Sequence, residues 1–337
     1  MMSVQPARPP AREPTFRHAS AGSDIVIGLV NNMPDTALRG TERQYGTLLG
    51  AACRDLPVRL KLFTLPEVPR AEAGRSHVSQ HYESIDDLWE GDLDGLIVTG
   101  SQPRAPMLTD EPYWQSLTEL VEWAERNTVS TIWSCLAAHA AVLYIDGIAR
   151  RPYGDKLSGV FDCSKAAEHP IVGGIPYHWR EPHSRYNGLC EQALAARDYR
   201  ILARSPSAGV SIFAKQGKSL FVFLQGHPEY APDTLFREYR RDVGRFLAGE
   251  AHRYPAMPRG YFDAAATAAF ITFQQRALRN PSLDLLLQFP GVEGELSLRH
   301  SWRELATRIF ANWVAYLAER KSRGVARSRI ARVREDA

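Results

Sequence analysis

The sequence predicts an α/β fold: a doubly wound, mostly parallel sheet flanked by helices, with a C-terminal helical extension. Three observations carry this. The runs DIVIGLV (24–30), DGLIVTG (94–100) and STIWS (130–134) are short, apolar and rich in β-branched residues, as strands buried on both faces are. Segments with helical spacing lie between them, so strand and helix alternate. The strand at 130–134 also runs straight into a helix-forming segment, the junction where doubly wound sheets gather their reactive groups.

Residues 1–22 hold Pro6, Pro9, Pro10 and Pro14 and are expected to be disordered. After the first strand, a helix is expected from Arg39 to Cys53 and a strand at 58–65 (VRLKLFTL). Pro112 to Arg126 is amphipathic, with Trp114, Leu117, Leu120, Val121 and Trp123 near helical spacing. The strand STIWS and a helix at 136–145 follow. RILARS, VSIFAK and SLFVFLQG, within 200–226, read as a β-meander, and a helix is expected over 233–248. A stretch rich in Pro, Gly and Ala then carries a helix at 263–278. The last clear element is 301–320, where Ser301 and Glu304 fit a capping box and Trp302, Leu305, Ile309, Trp313 and Tyr316 form an apolar stripe. The chain therefore divides into 1–22, a main domain at 23–249, an extension at 250–320 that packs on the core, and a frayed basic tail at 321–337.

The chain has 337 residues, enough for one large or two modest cores, with 41 Lys+Arg against 38 Asp+Glu. The positive excess sits at the end. Six basic residues from Lys321 to Arg334, followed by Glu335 and Asp336, carry a net +4 and leave the body at −1. A near-neutral body argues against a nucleic-acid partner. No apolar run approaches the roughly 18 residues of a membrane span. The N-terminus lacks an apolar signal core, and the four cysteines form no CxxC pair, so a cytoplasmic protein with reduced thiols is expected.

The most informative segment is STIWSCLAAHAA. Cys135 stands where an apolar strand meets a helix of small residues, so unpaired helix N–H groups favour a thiolate and can hold an oxyanion. Taken alone, Cys135 reads more readily as a buried small hydrophobe. The second segment is SLFVFLQGHPEY. There an apolar strand ends at Gly226, and His227 and Glu229 follow at i, i+2, on one face of extended chain. A carboxylate beside an imidazole fixes its tautomer and raises its basicity, which prepares a base to serve a nucleophile. The other thiols lack such a context: Cys53 ends a helix, Cys163 sits in a polar loop and Cys190 follows a turn. His77 and His81 are spaced i, i+4, but a loop-like setting with Glu83 as the only nearby acid argues for solvated side chains, and no metal site is expected.

The order of Cys elbow and HPE resembles the class I glutamine amidotransferase-like fold. Within it, the chain resembles the homoserine O-acyltransferase (homoserine O-succinyltransferase) family over most of 24–248 and again in RIFANWVAYL. The matching segments are NNMP (31–34), TERQY (41–45), DGLIVTGSQ (94–102), YWQSLTELVEWA (113–124), DKLSGV (155–160), PHSRY (182–186) and GHPEY (226–230). DKLSGV and PHSRY are the specific ones. The resemblance implies Cys135 as acyl-thioester nucleophile, His227 as proton acceptor and Glu229 as its orienting partner, with the Leu136 amide in the oxyanion hole. It also implies Lys156, Ser184 and Arg241 as substrate-binding residues. A guanidinium grips a carboxylate in a bidentate fork, an ammonium attracts a charged acyl or CoA group, and a hydroxyl can orient the acceptor alcohol.

Several positions depart from the family pattern. Asp35 and Thr36 follow NNMP in place of two lysines, Leu136 replaces a tryptophan, and His139 replaces a glutamine. Arg104 stands where glutamate marks acetyl users and glycine marks succinyl users; it is expected either to pair with a succinyl carboxylate or to point into solvent.

The resemblance implies ping-pong transfer of an acyl group, succinyl favoured over acetyl, from succinyl-CoA or acetyl-CoA as co-substrate to the hydroxyl of L-homoserine in methionine biosynthesis. It implies no bound cofactor and a homodimer. The same Cys-His-Glu set also suits another hydroxy amino acid such as serine, or glutamine amidotransfer or hydrolysis, although no synthetase segment is present. A non-catalytic binding protein would usually have lost one of the three residues.

Overall fold

A computed structural model describes residues 24–53, 56–291 and 301–335. The segment 1–22 expected to be disordered lies outside the described residues. One nine-stranded sheet organises the chain, in the order β2-β1-β3-β4-β9-β8-β7-β5-β6. Its parallel half comprises β1 (Ile25–Val30), β2 (Val58–Phe63), β3 (Gly95–Val98), β4 (Ser130–Ser134) and β9 (Leu220–Leu224). These are the strands expected from the apolar runs. Burial on both faces explains the composition of β1, β3, β4 and β9, whereas the edge strand β2 is mostly half-buried. Ile25, Ile27 and Leu29 of β1, Ile132 of β4 and Val222 of β9 enter one apolar cluster. Val30, Trp133, Phe221 and Phe223 point the other way into a second. Each such side chain contributes about 1.5–3 kcal/mol by leaving water.

The first cluster is covered by α1 (Asp35–Ala52) and α9 (Arg303–Glu335), the second by α4 (Trp114–Asn127) and α5 (Leu136–Asp146). Helices on both faces make the parallel half doubly wound. The expected meander is present: β7 (Arg200–Ser205), β8 (Gly209–Gln216) and β9 pair antiparallel in sequence. A third cluster joins α7 (Thr234–Leu247) and α8 (Ala264–Arg279) to Tyr230, Phe262 and Trp302. Asp263 caps α8, its Oδ1 accepting from Ala266 N at 2.7 Å.

Several elements differ from expectation. The segment 151–188 holds the longest hairpin, β5 (Arg151–Lys165) with β6 (His178–Gly188), and it extends the sheet past β7. The first residues of β5 are exposed, so its sequence lacks the alternation of a half-buried strand. Cys163 therefore lies in β5, only 2% exposed, and not in a polar loop. His77 and His81 lie on a helix, α2 (Glu72–His81), rather than a loop. His77 is buried, with Nε2 2.8 Å from Glu42 Oε1. Two further helices had no clear sequence signal: α3 (Ile85–Glu90), held by a Ser84–Asp87 capping box, and α6 (Glu191–Ala195).

α9 begins at Arg303, so the N-cap position falls on Trp302 and not on Ser301 of the expected box. Trp302 is buried there, and its Nε1 donates to the Tyr230 carbonyl at 2.9 Å. The apolar stripe of α9 is buried as expected, with Tyr316 at its edge. The basic segment after Arg320 is helical to Glu335 and not frayed. Lys321 anchors its start, donating to Asp94 Oδ2 at 2.7 Å and to the Asp24 carbonyl at 2.8 Å. No helix among the described residues is long and apolar enough to cross a membrane.

Candidate active site

The site forms at the carboxyl ends of β4 and β9, which run parallel with Ser134 opposite Leu224. Beyond Ser134 the chain turns sharply into α5, and Cys135 takes φ 52° and ψ −112°, a left-handed conformation that strains a side-chain-bearing residue. Its N–H donates to the Leu224 carbonyl at 2.7 Å, so the end of β9 braces the elbow. The small side chains of Ala137 and Ala138 are buried behind it and let α5 start without a spacer.

On the neighbouring strand end, Gly226 is required by close approach: a Cβ there would fall 2.1 Å from Glu181 Oε1. The His227 N–H donates to the Pro182 carbonyl of β6 at 2.8 Å, so the unexpected hairpin supports the base. The imidazole is buried and stacks on Tyr230, with centroids 4.3 Å apart. Nδ1 donates to Glu229 Oε1 at 2.8 Å, and the Cys135 sulfur lies near enough to act on the ring. Burial works against the charged ring. The Glu229 carboxylate and then the Cys135 sulfur outweigh it and hold His227 well above its ordinary value.

β5, β6 and α7 bring together the substrate-binding candidates. Lys156 Nζ donates to Glu238 Oε2 at 3.2 Å and to Asp242 Oδ2 at 2.8 Å. The Ser184 hydroxyl donates to Glu238, and Tyr230 Oη donates to its other oxygen at 2.7 Å. Arg241 donates through Nε and Nη2 to Asp242 Oδ1 at 2.9 and 2.8 Å. Burial raises Glu238, but Lys156, Ser184 and Tyr230 reverse this and bring it to about 2, so it is a carboxylate throughout the physiological range. Glu238 and Asp242 were not found from the sequence. Their signal was their spacing with Arg241, which puts Glu238 and Asp242 on one face of α7.

These residues line one cleft of about 190 Å³. Cys135, Leu136, Lys156, Ser184, His227, Glu229 and Arg241 all reach it. Tyr45 of α1 faces it too; burial and the nearby Glu229 charge keep that phenol protonated. The first amides of α5, Leu136 N among them, have no intrahelical acceptor and lie beside the thiol. Gly100, after β3, approaches so closely that a Cβ there would lie 3.1 Å from Leu136 N. Arg104 is not brought in. It is exposed on the loop after β3, and its backbone N–H donates to Glu111 Oε1 at 2.7 Å.

One group of metal-type donors occurs among the described residues: Cys163, Glu181 and His183, with one atom from each within 4.8 Å of the others. It is fully buried behind Gly226. Glu181 accepts from Trp179 Nε1 at 3.2 Å and from Ser211 Oγ at 3.0 Å. Burial raises Glu181 and pushes His183 down, so both favour their neutral forms.

A cysteine elbow beside a buried His–Glu pair, on a doubly wound sheet, defines an α/β enzyme of the Cys-His-Glu kind. The family model of homoserine O-succinyltransferase matches residues 17–323, and the chain belongs to that family of acyltransferases. Among relatives bearing that name, the protein of Rhodopseudomonas palustris is 48% identical over 306 residues, covering 89% of this chain and 90% of its own. That of Methylorubrum extorquens is 46% identical over 298 residues, covering 88% of each. A solved glutamine amidotransferase from Methylobacillus flagellatus overlays with a TM-score of 0.49 at 14% identity, over 87% of this chain and 94% of its own.

Proposed function

We propose that the protein transfers a succinyl group from succinyl-CoA to the hydroxyl of L-homoserine through a thioester on Cys135, a step of methionine biosynthesis. The observation that carries this reading is His227 held between Glu229 and the Cys135 sulfur at the floor of a cleft that also presents Lys156, Ser184 and Arg241.

In the first half-reaction the Cys135 thiolate attacks the thioester carbonyl, and the Leu136 amide steadies the oxyanion. The bond from carbonyl carbon to CoA sulfur breaks, and the leaving sulfur takes the proton of the His227 imidazolium. Succinyl then sits on Cys135, and the imidazole is neutral. Two of the influences that raise His227 come from the free cysteine. Acylation removes them, so the ring becomes a base suited to the next step. In the second half-reaction His227 takes the homoserine hydroxyl proton as that oxygen attacks the acyl carbon. The bond to Sγ breaks, and the thiolate–imidazolium pair is restored.

The acceptor is a zwitterion, and the hub on α7 offers both signs of charge. Arg241 suits its carboxylate, and the permanently charged Glu238 suits its ammonium, with Ser184 beside the reacting hydroxyl. Intact-mass analysis after mixing the protein with succinyl-CoA should show a succinyl adduct on wild type and none on Cys135→Ala. L-homoserine should discharge the adduct with formation of O-succinylhomoserine. An adduct discharged faster by L-serine would transfer the reading to another hydroxy amino acid. Release of glutamate from glutamine with no acyl adduct would replace it by amidotransferase-type chemistry.

A further inference from the structure

Glu238, Arg241 and Asp242 of α7 supply the acceptor hub, and the same helix borders a second space that the chemistry above does not use. Arg237, Arg241 and Arg245 recur every four residues, with Arg240 beside them, and together they border an open groove of about 550 Å³. The groove floor is apolar, made by Gly244, Ala248, Leu283 and Leu286. Leu283 is 56% exposed, although it lies beside charged side chains. Arg237 is paired with Asp233 and Arg241 with Asp242. Arg240 and Arg245 carry no ion pair among the described residues, and Glu250 is the one acid on the groove wall. Arg241 and Arg245 line the catalytic cleft as well as the groove, so the two spaces adjoin across these side chains. From Glu238 to Arg245 the helix advances about 10 Å.

We propose that this groove binds the nucleotide end of the acyl donor, a 3′-phosphorylated adenosine diphosphate. Its adenine lies on the Leu283–Leu286 floor and its phosphates on Arg240 and Arg245. The inference rests on the acyl-CoA reading and deepens it. The chemistry matches on three counts: an apolar floor for a planar base, guanidinium groups without an ion pair among the described residues for phosphate oxygens, and a border shared with the cleft that holds Cys135, where the flexible arm must deliver the thioester. Arg241 stays with Asp242 and the acceptor. A second basic cavity, bordered by Arg43 and Arg303 next to Glu229, is the competing location.

The test compares two donors: succinyl-CoA, and succinyl-S-N-acetylcysteamine, which has the same thioester without the nucleotide. Arg240→Glu should raise KM for succinyl-CoA about tenfold, the effect of losing one charge-assisted phosphate contact. The Arg240→Glu/Arg245→Glu double variant should raise it further. KM for the truncated donor, and kcat with either donor, should change less than about twofold for Arg240→Glu on the same scale. Arg43→Glu should leave KM for succinyl-CoA unchanged. Equal loss on both donors, no change with succinyl-CoA, or a loss with Arg43→Glu in place of Arg240→Glu would overturn the assignment. Failure of the wild type to take an acyl group from either donor would instead remove the function on which it rests.

Discussion

His139 Nε2 lies 2.9 Å from Gln225 Oε1, a buried bond that ties the helix beginning at Cys135 to the strand end leading to His227. Gln225 Nε2 continues the link to the Val210 carbonyl of β8 at 2.6 Å. The position that departs from the family glutamine thus couples the proposed nucleophile and base. Burial drives the His139 ring down to about 3, so it is a neutral donor here. A histidine lowered on folding stabilises the protein fully above its unfolded value near 6.5, and that stability fades as pH falls below it. His139→Gln should keep the link and remove this part of the acid sensitivity. His139→Phe leaves Gln225 without its partner and should cost about 1–3 kcal/mol. Urea unfolding of the three proteins between pH 7 and pH 5 checks both statements.

His227 behaves oppositely. Burial alone would lower it, but Glu229 and then Cys135 raise it well above its ordinary value. The imidazolium therefore persists to higher pH in the free enzyme, and acylation by succinyl-CoA should decline only as pH climbs through that raised value. Glu229→Gln removes the strongest raising influence, so the alkaline limb of kcat/KM for the donor should move to lower pH. A Glu229→Gln limb at the wild-type position would show that Glu229 does not tune the base. Stability has the same sign: the raised histidine contributes fully below about 6.5, and the contribution is lost as pH rises through the folded value.

The parallel half of the sheet was legible because all its strands but the edge strand β2 are buried on both faces, and such runs as IVIGLV and STIWS have few other uses. Cys135 and the His227–Glu229 pair were legible for a related reason, since each directly follows one of those runs. The β5–β6 hairpin was not. Its outer end is exposed and polar, and its pairing connects Ser158 with Ser184 across a long loop, which no local period records. The acceptor hub shares that obstacle. Lys156, Ser184 and Glu238 come from three elements, and only motifs shared with a family pointed to the first two. Composition also misled at the C-terminus. The charges after Arg320 suggested fraying, whereas α9 runs on to Glu335 and Lys321 is held by Asp94.

Arg104 stands outside the cleft, which argues against a direct part in donor preference. Its side chain is exposed outside the cleft, and its loop is fixed through backbone N–H groups of Arg104 and Ala105 on Glu111 Oε1. Arg104→Glu should therefore leave the ratio of kcat/KM for succinyl-CoA to that for acetyl-CoA within about twofold of wild type, as for surface charges in general. Glu111→Ala removes the buried acceptor of both amides and should disturb the loop far more. A large fall in the succinyl ratio for Arg104→Glu would mean that the loop closes over the bound donor.

Gly100 offers the sharpest separation of chemistry from binding. Its Cα faces the start of α5, where an added Cβ would stand 3.0 Å from Leu136 Cβ and 3.1 Å from Leu136 N. Contacts that short require movement of one partner, and both belong to backbone-constrained positions at the turn. Gly100→Ala should therefore displace or cover the amide proposed to receive the oxyanion, while Lys156, Ser184 and Arg241, which a Cβ at Gly100 would not meet, keep their places. Loss of one oxyanion donor costs roughly 10²–10³ in kcat. The expected signature is a fall of that order in the acylation rate, read by CoA thiol release in a single turnover, with KM for L-homoserine little changed. A Gly100→Ala protein that acylates at the wild-type rate would show that the Leu136 amide takes no part in holding the charge.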